Sequence, residues 1–427
     1  MMVTEGRCAV TDRIDGGPRS VVVVGAGIVG LSTAWFLQER GVDVTVVDRE
    51  GVGAGASWGN AGWIAPALAI PLNQPAVLRY GLASLLNPTA PLRISPKPDV
   101  GRARFLAKFA SNCRHAKARE VVRANLPMNE ECFEAFDVLT GNGVDVPRTE
   151  TAITALFRDG RDADVLRHEL ADMRAEGQQI DVTELTGDAL REQVPLAGPA
   201  ATVGLAVENQ RFVDPGRFVT ALGDAVVERG ASLHRFRVVD IAKHHDGVMV
   251  KGSGGEFLIA GAAVVATGAW LPGLTRRWRR TWVEAGRGYS FTVPTERPVL
   301  GPIYLPTVRV ACTPYQGGLR VAGTMEFRDA DDPVVPARVR AIASSAATML
   351  DGVRWDEMRD VWVGPRPVSA DGLPYIGELG DRVYVAGGHG MWGFAHGPIT
   401  GRLLTEQITT GKQPEALAPF DPHRSGR

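Results

Sequence analysis

Residues 21–48 read VVVVGAGIVGLSTAWFLQERGVDVTVVD, and no other stretch restricts the fold as tightly. Val21 to Val24 form a short apolar run without a helical period, which suits a strand buried on both faces of a parallel sheet. Gly25, Gly27 and Gly30 follow in the order G-x-G-x-x-G and open a run of helix formers from Leu31 to Glu39. Gly41 stops that helix, Val44 to Val47 make a second buried strand, and Asp48 ends it. Gly25 permits a tight turn, Gly27 lets a pyrophosphate approach the backbone, and Gly30 lets helix and strand pack closely.

An acid about twenty residues beyond the glycines completes a dinucleotide-binding fingerprint. Gly25, Ala26, Gly27, Ile28, Val29 and Gly30 form its phosphate turn, where the helix N-terminus offers unpaired N–H groups and positive partial charge. Asp48 is placed to accept both hydroxyls of an adenosine ribose. A 2′-phosphate would meet its charge, which disfavours NADP and leaves FAD and NAD open.

At 427 residues the chain exceeds one ordinary core, so two domains are expected. A net charge of -1 gives no reason to expect nucleic acid or an anionic membrane as partner. Cys8, Cys113, Cys132 and Cys312 form no C-x-x-C pair, so neither disulfides nor a metal are expected, and a reducing cytoplasm fits. Residues 1–19 lack the apolar core of a signal peptide and read as a frayed tail. The apolar run through Leu37 is interrupted by glycines, which argues against a membrane span.

Gly51 to Pro66 reads GVGAGASWGNAGWIAP, too glycine-rich for a continuous helix. It suits a second backbone arm close to a flat ring, with Ser57 and Asn60 as donors to phosphate or ring oxygens. The combination GAGIVG, VVDR and ASWGNAG resembles the FAD-dependent D-amino-acid dehydrogenases, within the glycine oxidase and D-amino-acid oxidase family. That resemblance implies non-nicotinamide chemistry: FAD, with Asp48 and Arg49 at the adenosine. It also implies Ser57, Asn60, Ala61 and Gly62 along the pyrophosphate and flavin edge. By the same resemblance Val238 touches the adenine through its main chain, and Thr267 and Gly268 pass the pyrophosphate.

The expected fold class is α/β: a Rossmann-type FAD-binding domain with a parallel sheet, plus an α+β substrate domain with a mostly antiparallel sheet. The FAD-binding domain takes residues 20–97, 211–275 and 356–427; the substrate domain takes 98–210 and 276–355. Apolar spacing predicts helices over 101–140 and 161–176. Strands are expected at Thr151–Phe157, Thr202–Val207, Ser232–Ile241, Tyr289–Val293, Val308–Cys312, Gly318–Gly323 and Val383–Ala386. Asp214-Pro215 begins a helix that ends at Gly230. The proline- and leucine-rich stretch 66–98 reads as an irregular connector or lid, and is the candidate surface for peripheral membrane contact.

Three signals carry the chemistry. Gly388, His389, Gly390, Met391, Trp392 and Gly393 precede a helix expected from Pro398 to Gln407. The resemblance places this loop beside the flavin, where a helix N-terminus stabilises charge on the reduced ring. Arg366 stands between Pro365 and Pro367, which fix its backbone, and its rigid fork suits a carboxylate. In the family the arginine of this motif grips the substrate carboxylate. Arg287-Gly288-Tyr289-Ser290 resembles the dehydrogenases' Lys-Gly-Tyr-Ser, with the Tyr289 hydroxyl as a second carboxylate donor. Arg366, Tyr289 and His389 are thus the candidate catalytic residues.

The expected reaction is hydride transfer from an amino-acid Cα to flavin N5, giving an imino acid and then a 2-oxo acid and ammonia. The expected partners are an amino-acid substrate and an electron acceptor, oxygen or a quinone. Relatives that bind flavin covalently use a cysteine beside the arginine motif; Gly364 stands at its opening here, so non-covalent FAD is expected. Two alternatives remain: an oxidase for glycine, sarcosine or D-proline, and a flavoprotein subunit of a larger electron-transfer complex.

Overall fold

A computed structural model describes residues 17–78, 91–95 and 97–424. Most of the expected tail, Cys8, and residues 79–90 and 96 of the proline- and leucine-rich stretch lie outside the described residues.

Strand β1 (Ser20–Val24), helix α1 (Ile28–Glu39) and strand β2 (Asp43–Asp48) follow the expected order. β1 lies inside a six-stranded sheet, between β2 and Ala262–Val265, and is parallel to both. Its four valines feed two cores. Val21 and Val23 pack with Leu31, Trp35 and Ile399, while Val22 and Val24 pack with Ile241, Val250 and Leu271. A strand covered on both faces has no polar position, which is why the run is unbroken. Beyond Ala262–Val265 come Val383–Gly387, parallel, and Tyr375–Gly380, antiparallel.

A second, ten-stranded sheet is mostly antiparallel. Its path runs from Arg359–Ser369 through Val283–Val293, Gly318–Phe327 and Val310–Tyr315 to Arg148–Phe157 and Val203–Val213. Arg359–Ser369 is an edge strand, which explains how it tolerates Pro365 and Pro367: the missing N–H groups cost no ladder bond on the open side.

Several expectations need correction. The return to the first sheet comes after residue 369, not at 356, because Arg359–Ser369 pairs with Val283–Val293. Trp63–Ile64 and Leu92–Ile94, assigned to the cofactor-binding half, pair within the second sheet. The region 101–140 is helical as expected, in two helices, Val100–Asn112 and His115–Gly141, separated at Cys113 and Arg114. The strand expected over Ser232–Ile241 splits: Ser232–Arg235 joins the first sheet, and Val238–His244 joins a separate three-stranded sheet. Among the described residues no helix is long and apolar enough to cross a membrane.

Candidate active site

The three glycines of the first turn divide by role. A Cβ on Gly25 would stand 2.4 Å from the Ala266 carbonyl oxygen, and one on Gly30 would stand 1.9 Å from that of Gly25. Both are fixed by the packing of the chain on itself. At Gly27 a Cβ would meet only Ser57 Oγ, at 3.2 Å, so the space above the middle glycine is open. Ser57 Oγ accepts the Ile28 N–H at 3.0 Å, and its hydroxyl proton stays available to a ligand oxygen.

These groups open into a cleft of ≈ 440 Å³, within the roughly 300–1,000 Å³ typical of ligand sites. Gly25, Gly27, Ile28, Val29, Asp48 and Arg49 line it from the first sheet, with Ser57 and Asn60 from the second arm. Val238, Thr267 and Gly268 form another wall. Arg366, His389, Gly390, Met391 and Gly393 close the far end. Among the described residues no group of side chains is arranged to hold a metal ion.

The remaining expected residues are not on the cleft lining. Ala26 N donates to Asp48 Oδ2 at 2.9 Å, and Gly30 packs beneath the turn. The Ala61 carbonyl accepts the Thr313 hydroxyl at 2.8 Å, and a Cβ on Gly62 would stand 2.1 Å from the Val213 oxygen. Both anchor the second arm to the second sheet. Gly388 takes a φ of 88° before the loop, and Trp392 Nε1 donates to the Ile70 carbonyl at 3.3 Å.

Several predicted roles change. Asp48 already accepts from Ala26, Glu50 and Gly51 N–H groups, at 2.9, 2.8 and 3.0 Å. Of the roughly four acceptor positions of a carboxylate about one is left, enough for one ribose hydroxyl and not both. Asn60 uses its amide within its own turn, donating to the Ser57 carbonyl and accepting from Gly62 N, each at 2.6 Å. Arg49 pairs with Asp331 at 2.5 Å and lies 4.0 Å over the Trp270 ring, tying the two sheets together across the cleft mouth.

Tyr289 is not a cleft residue. It is fully buried on the opposite face of the second sheet, and its hydroxyl donates to Glu326 Oε2 at 2.7 Å. Burial and that bond push its pKa up to about 12. Strand alternation explains the displacement: the neighbour Ser290 turns the other way and donates to the Gly59 carbonyl at 2.8 Å. His389 lines the cleft as a neutral imidazole. Its Nε2 shares a 3.0 Å bond with Thr400 Oγ1, and burial, helped by His396, pulls its pKa down to about 3.

Arg366 stays at the site. Among the described residues its hydrogen-bond partner is the Thr324 carbonyl, which accepts from one Nη at 2.8 Å, and burial alone pulls its pKa down to about 10. The strand that carries it is bound to the glycine loop: Gly390 N donates to the Pro367 carbonyl at 2.8 Å, and Val368 bridges to His389. Sequence reasoning missed Trp362, whose indole lies across Gly59 and Gly364 beside Arg366. A Cβ at those glycines would come within 2.1 and 2.0 Å of its ring. The available signal was spacing: residues 362 and 366 share one face of a strand.

The cleft fits a flavin dinucleotide. The N-terminus of α1 beneath the open space above Gly27, and the Thr267 hydroxyl, buried in the wall with no partner among the described residues, offer donors to a pyrophosphate. Gly268 and Gly390, with φ of 56° and 58°, have open space where a side chain would project. At the far end the first turn of Gly393–Thr410 presents Gly393 and Phe394 to the cleft with no side-chain cap among the described residues, leaving N–H groups for an electron-rich ring edge.

Comparison with known proteins agrees. The family model described as FAD dependent oxidoreductase matches residues 20–407. A D-amino acid dehydrogenase from Cereibacter sphaeroides is 30% identical over 413 residues, covering 92% of both chains. One from Granulibacter bethesdensis is 27% identical over 92% of this chain and 96% of its own. Among solved structures, glycine oxidase from Bacillus cereus superposes with a TM-score of 0.72 at 23% identity, over 96% of this chain and 99% of its own. L-proline dehydrogenase from P. horikoshii gives 0.68 at 18% identity, over 96% and 98%. The chain belongs to the FAD-dependent oxidoreductase family known as DAO.

Proposed function

We propose that this enzyme oxidises the amine of a D-amino acid to an imino acid, which water converts to a 2-oxo acid and ammonia. The observation that carries the reading is Arg366: a guanidinium on the cleft wall, beside the glycine loop, with no carboxylate partner among the described residues. A half-buried cation set into a cleft wall normally has its counter-ion, and one held open for a ligand marks an anion site. The curated relatives named D-amino acid dehydrogenase supply the substrate class.

Arg366 binds the substrate carboxylate through the parallel N–H bonds of its fork. The flanking prolines and the Gly390–Pro367 bond hold that fork at a fixed place relative to the glycine loop. Bound FAD supplies the two-electron acceptor for the hydride leaving Cα. With the amine bound neutral no side-chain base is needed, and neither His389 nor Tyr289 offers one. The chain contributes position and electrostatics, which can carry most of a barrier reduction. The electron acceptor that reoxidises the flavin is a quinone on this reading, as suits a dehydrogenase.

The test is an anaerobic screen in which flavin bleaching is followed against D-amino acids, L-amino acids, glycine, sarcosine, D-proline and the decarboxylated amines of the same side chains, with wild type and Arg366→Lys. Loss of the fork lowers kcat/KM by about 10- to 100-fold, the value of a charge-assisted bidentate contact, mostly through KM. Bleaching by amines that lack a carboxylate, or an unchanged kcat/KM in the variant, refutes the reading.

A further inference from the structure

We infer that Gly288, together with the Thr324 carbonyl, is the seat that aims Arg366 at the substrate carboxylate; the inference rests on the role proposed for Arg366. Gly288 lies opposite Gly364 in the ladder, and Arg366 pairs with Gly286. The Arg366 side chain reaches diagonally across this pair. A Cβ on Gly288 would stand 2.1 Å from the Arg366 Cζ and 2.1 and 2.2 Å from its two Nη atoms. The guanidinium therefore lies flat on bare backbone. Glycine weakens a strand, and its use inside one often marks a close approach of this kind.

The second constraint comes from the neighbouring strand. Pairing along Val283–Val293 passes from Arg287–Glu326 to Tyr289–Gly323, so Thr324 and Met325 together face Gly288. Thr324 takes a φ of 60°, a left-handed conformation that costs a β-branched residue about 1–3 kcal/mol. That bulge places its carbonyl 2.8 Å from the Arg366 Nη. One of the guanidinium's five donors is thus spent on fixing its direction, and the other four have no hydrogen-bond partner among the described residues. The conspicuous element of Arg287-Gly288-Tyr289-Ser290 is its glycine, and Tyr289 serves the opposite face.

What a methyl at 288 would displace is the free end of a long side chain, so the fold can absorb it. The aim cannot, since a displacement of about 1 Å at a positioning group costs on the order of 100-fold. Gly288 is a positioning residue, and its effect must vanish when the guanidinium is absent. The test is a double-mutant cycle of Gly288→Ala and Arg366→Lys in the FAD-loaded protein. Benzoate affinity is read by calorimetry, KM and kcat by flavin reduction, and folding by melting temperature and flavin content.

Gly288→Ala is expected to raise benzoate Kd and amino-acid KM by about tenfold or more, with kcat changed less and flavin content kept. In the Arg366→Lys background the same substitution changes both by less than about twofold. An equal cost in both backgrounds overturns the seat, as does a Gly288→Ala protein with unaltered Kd while Arg366→Lys binds weakly. Unaltered benzoate binding by Arg366→Lys itself overturns the arginine reading and the seat with it. Should Gly288→Ala alone fail to load FAD, the double variant decides: loading and binding like Arg366→Lys supports the seat, and failure to load overturns it.

Discussion

Ser57 Oγ accepts the Ile28 N–H at 3.0 Å, so the second glycine-rich arm caps the helix that the first one opens. The two arms are 29 residues apart in sequence, and both line the same cleft. The bond sets the spacing between them and leaves the Ser57 proton facing the space above Gly27. A Ser57→Ala protein loses about 1 kcal/mol of stability, the usual cost of a lost N-cap acceptor. It also retains less FAD, by about tenfold in affinity, the worth of one hydrogen bond to a charged group. Melting temperature and flavin content after dialysis check this.

Tyr289→Phe separates the two readings of that tyrosine. Removing its hydroxyl leaves the buried Glu326 short of a donor, which costs about 1–3 kcal/mol. KM for the amino acid stays as in wild type, because the hydroxyl faces away from the cleft. Thermal melting and steady-state kinetics on the same preparation test the pair of outcomes, and a raised KM would return Tyr289 to the substrate side.

Acid weakens the fold through two histidines. Burial pulls His389 to about 3 and His396 to about 4, each below the ordinary 6.5. Between those values the unfolded chain binds protons that the folded chain does not, so stability rises with pH. It is complete above about 6.5 and falls as pH drops below it, by up to about 1.4 kcal/mol per unit for each ring. Substituting His396 by Gln, which keeps a polar partner for Asn129, flattens the fall of melting temperature between pH 6.5 and 4.5. The kcat/KM profile shows no ionisation of either histidine in the same range.

The flavin leaves with denaturation. Of the described cysteines, Cys113, Cys132 and Cys312 are buried thiols and none lines the cleft. Burial pushes the Cys113 pKa up to about 11 and that of Cys132 to about 12, which keeps both as unreactive thiols. Acid precipitation is therefore expected to give a colourless pellet and a yellow supernatant; colour retained by the pellet would show a covalent link.

How far the sequence could be read differs between the two halves of the site. The first turn was legible because its parts are contiguous: β1, three glycines, α1, β2 and Asp48 constrain one another through local geometry. The position of Arg366 was legible for a similar reason, since two prolines mark it. Tyr289 was misread because a strand shows its two faces only after its neighbours are known, and one step along Val283–Val293 separates the cleft from the core. The place of His389 on the cleft was legible from the glycine loop, whereas its bond to Thr400 and its burial, which keep the ring neutral, involve no local pattern.

From the amino-acid order alone follow a dinucleotide turn, a buried parallel sheet and a braced arginine, because each is set by residues close in the chain. What only the folded molecule decided is how these meet. The Arg366 strand is paired in the second sheet, yet it is bonded to the glycine loop of the first through Gly390 and Pro367. That contact puts Arg366 on the wall of the cofactor cleft, beside the glycine loop. It depends on packing between segments hundreds of residues apart, where no short-range preference of the chain records the outcome.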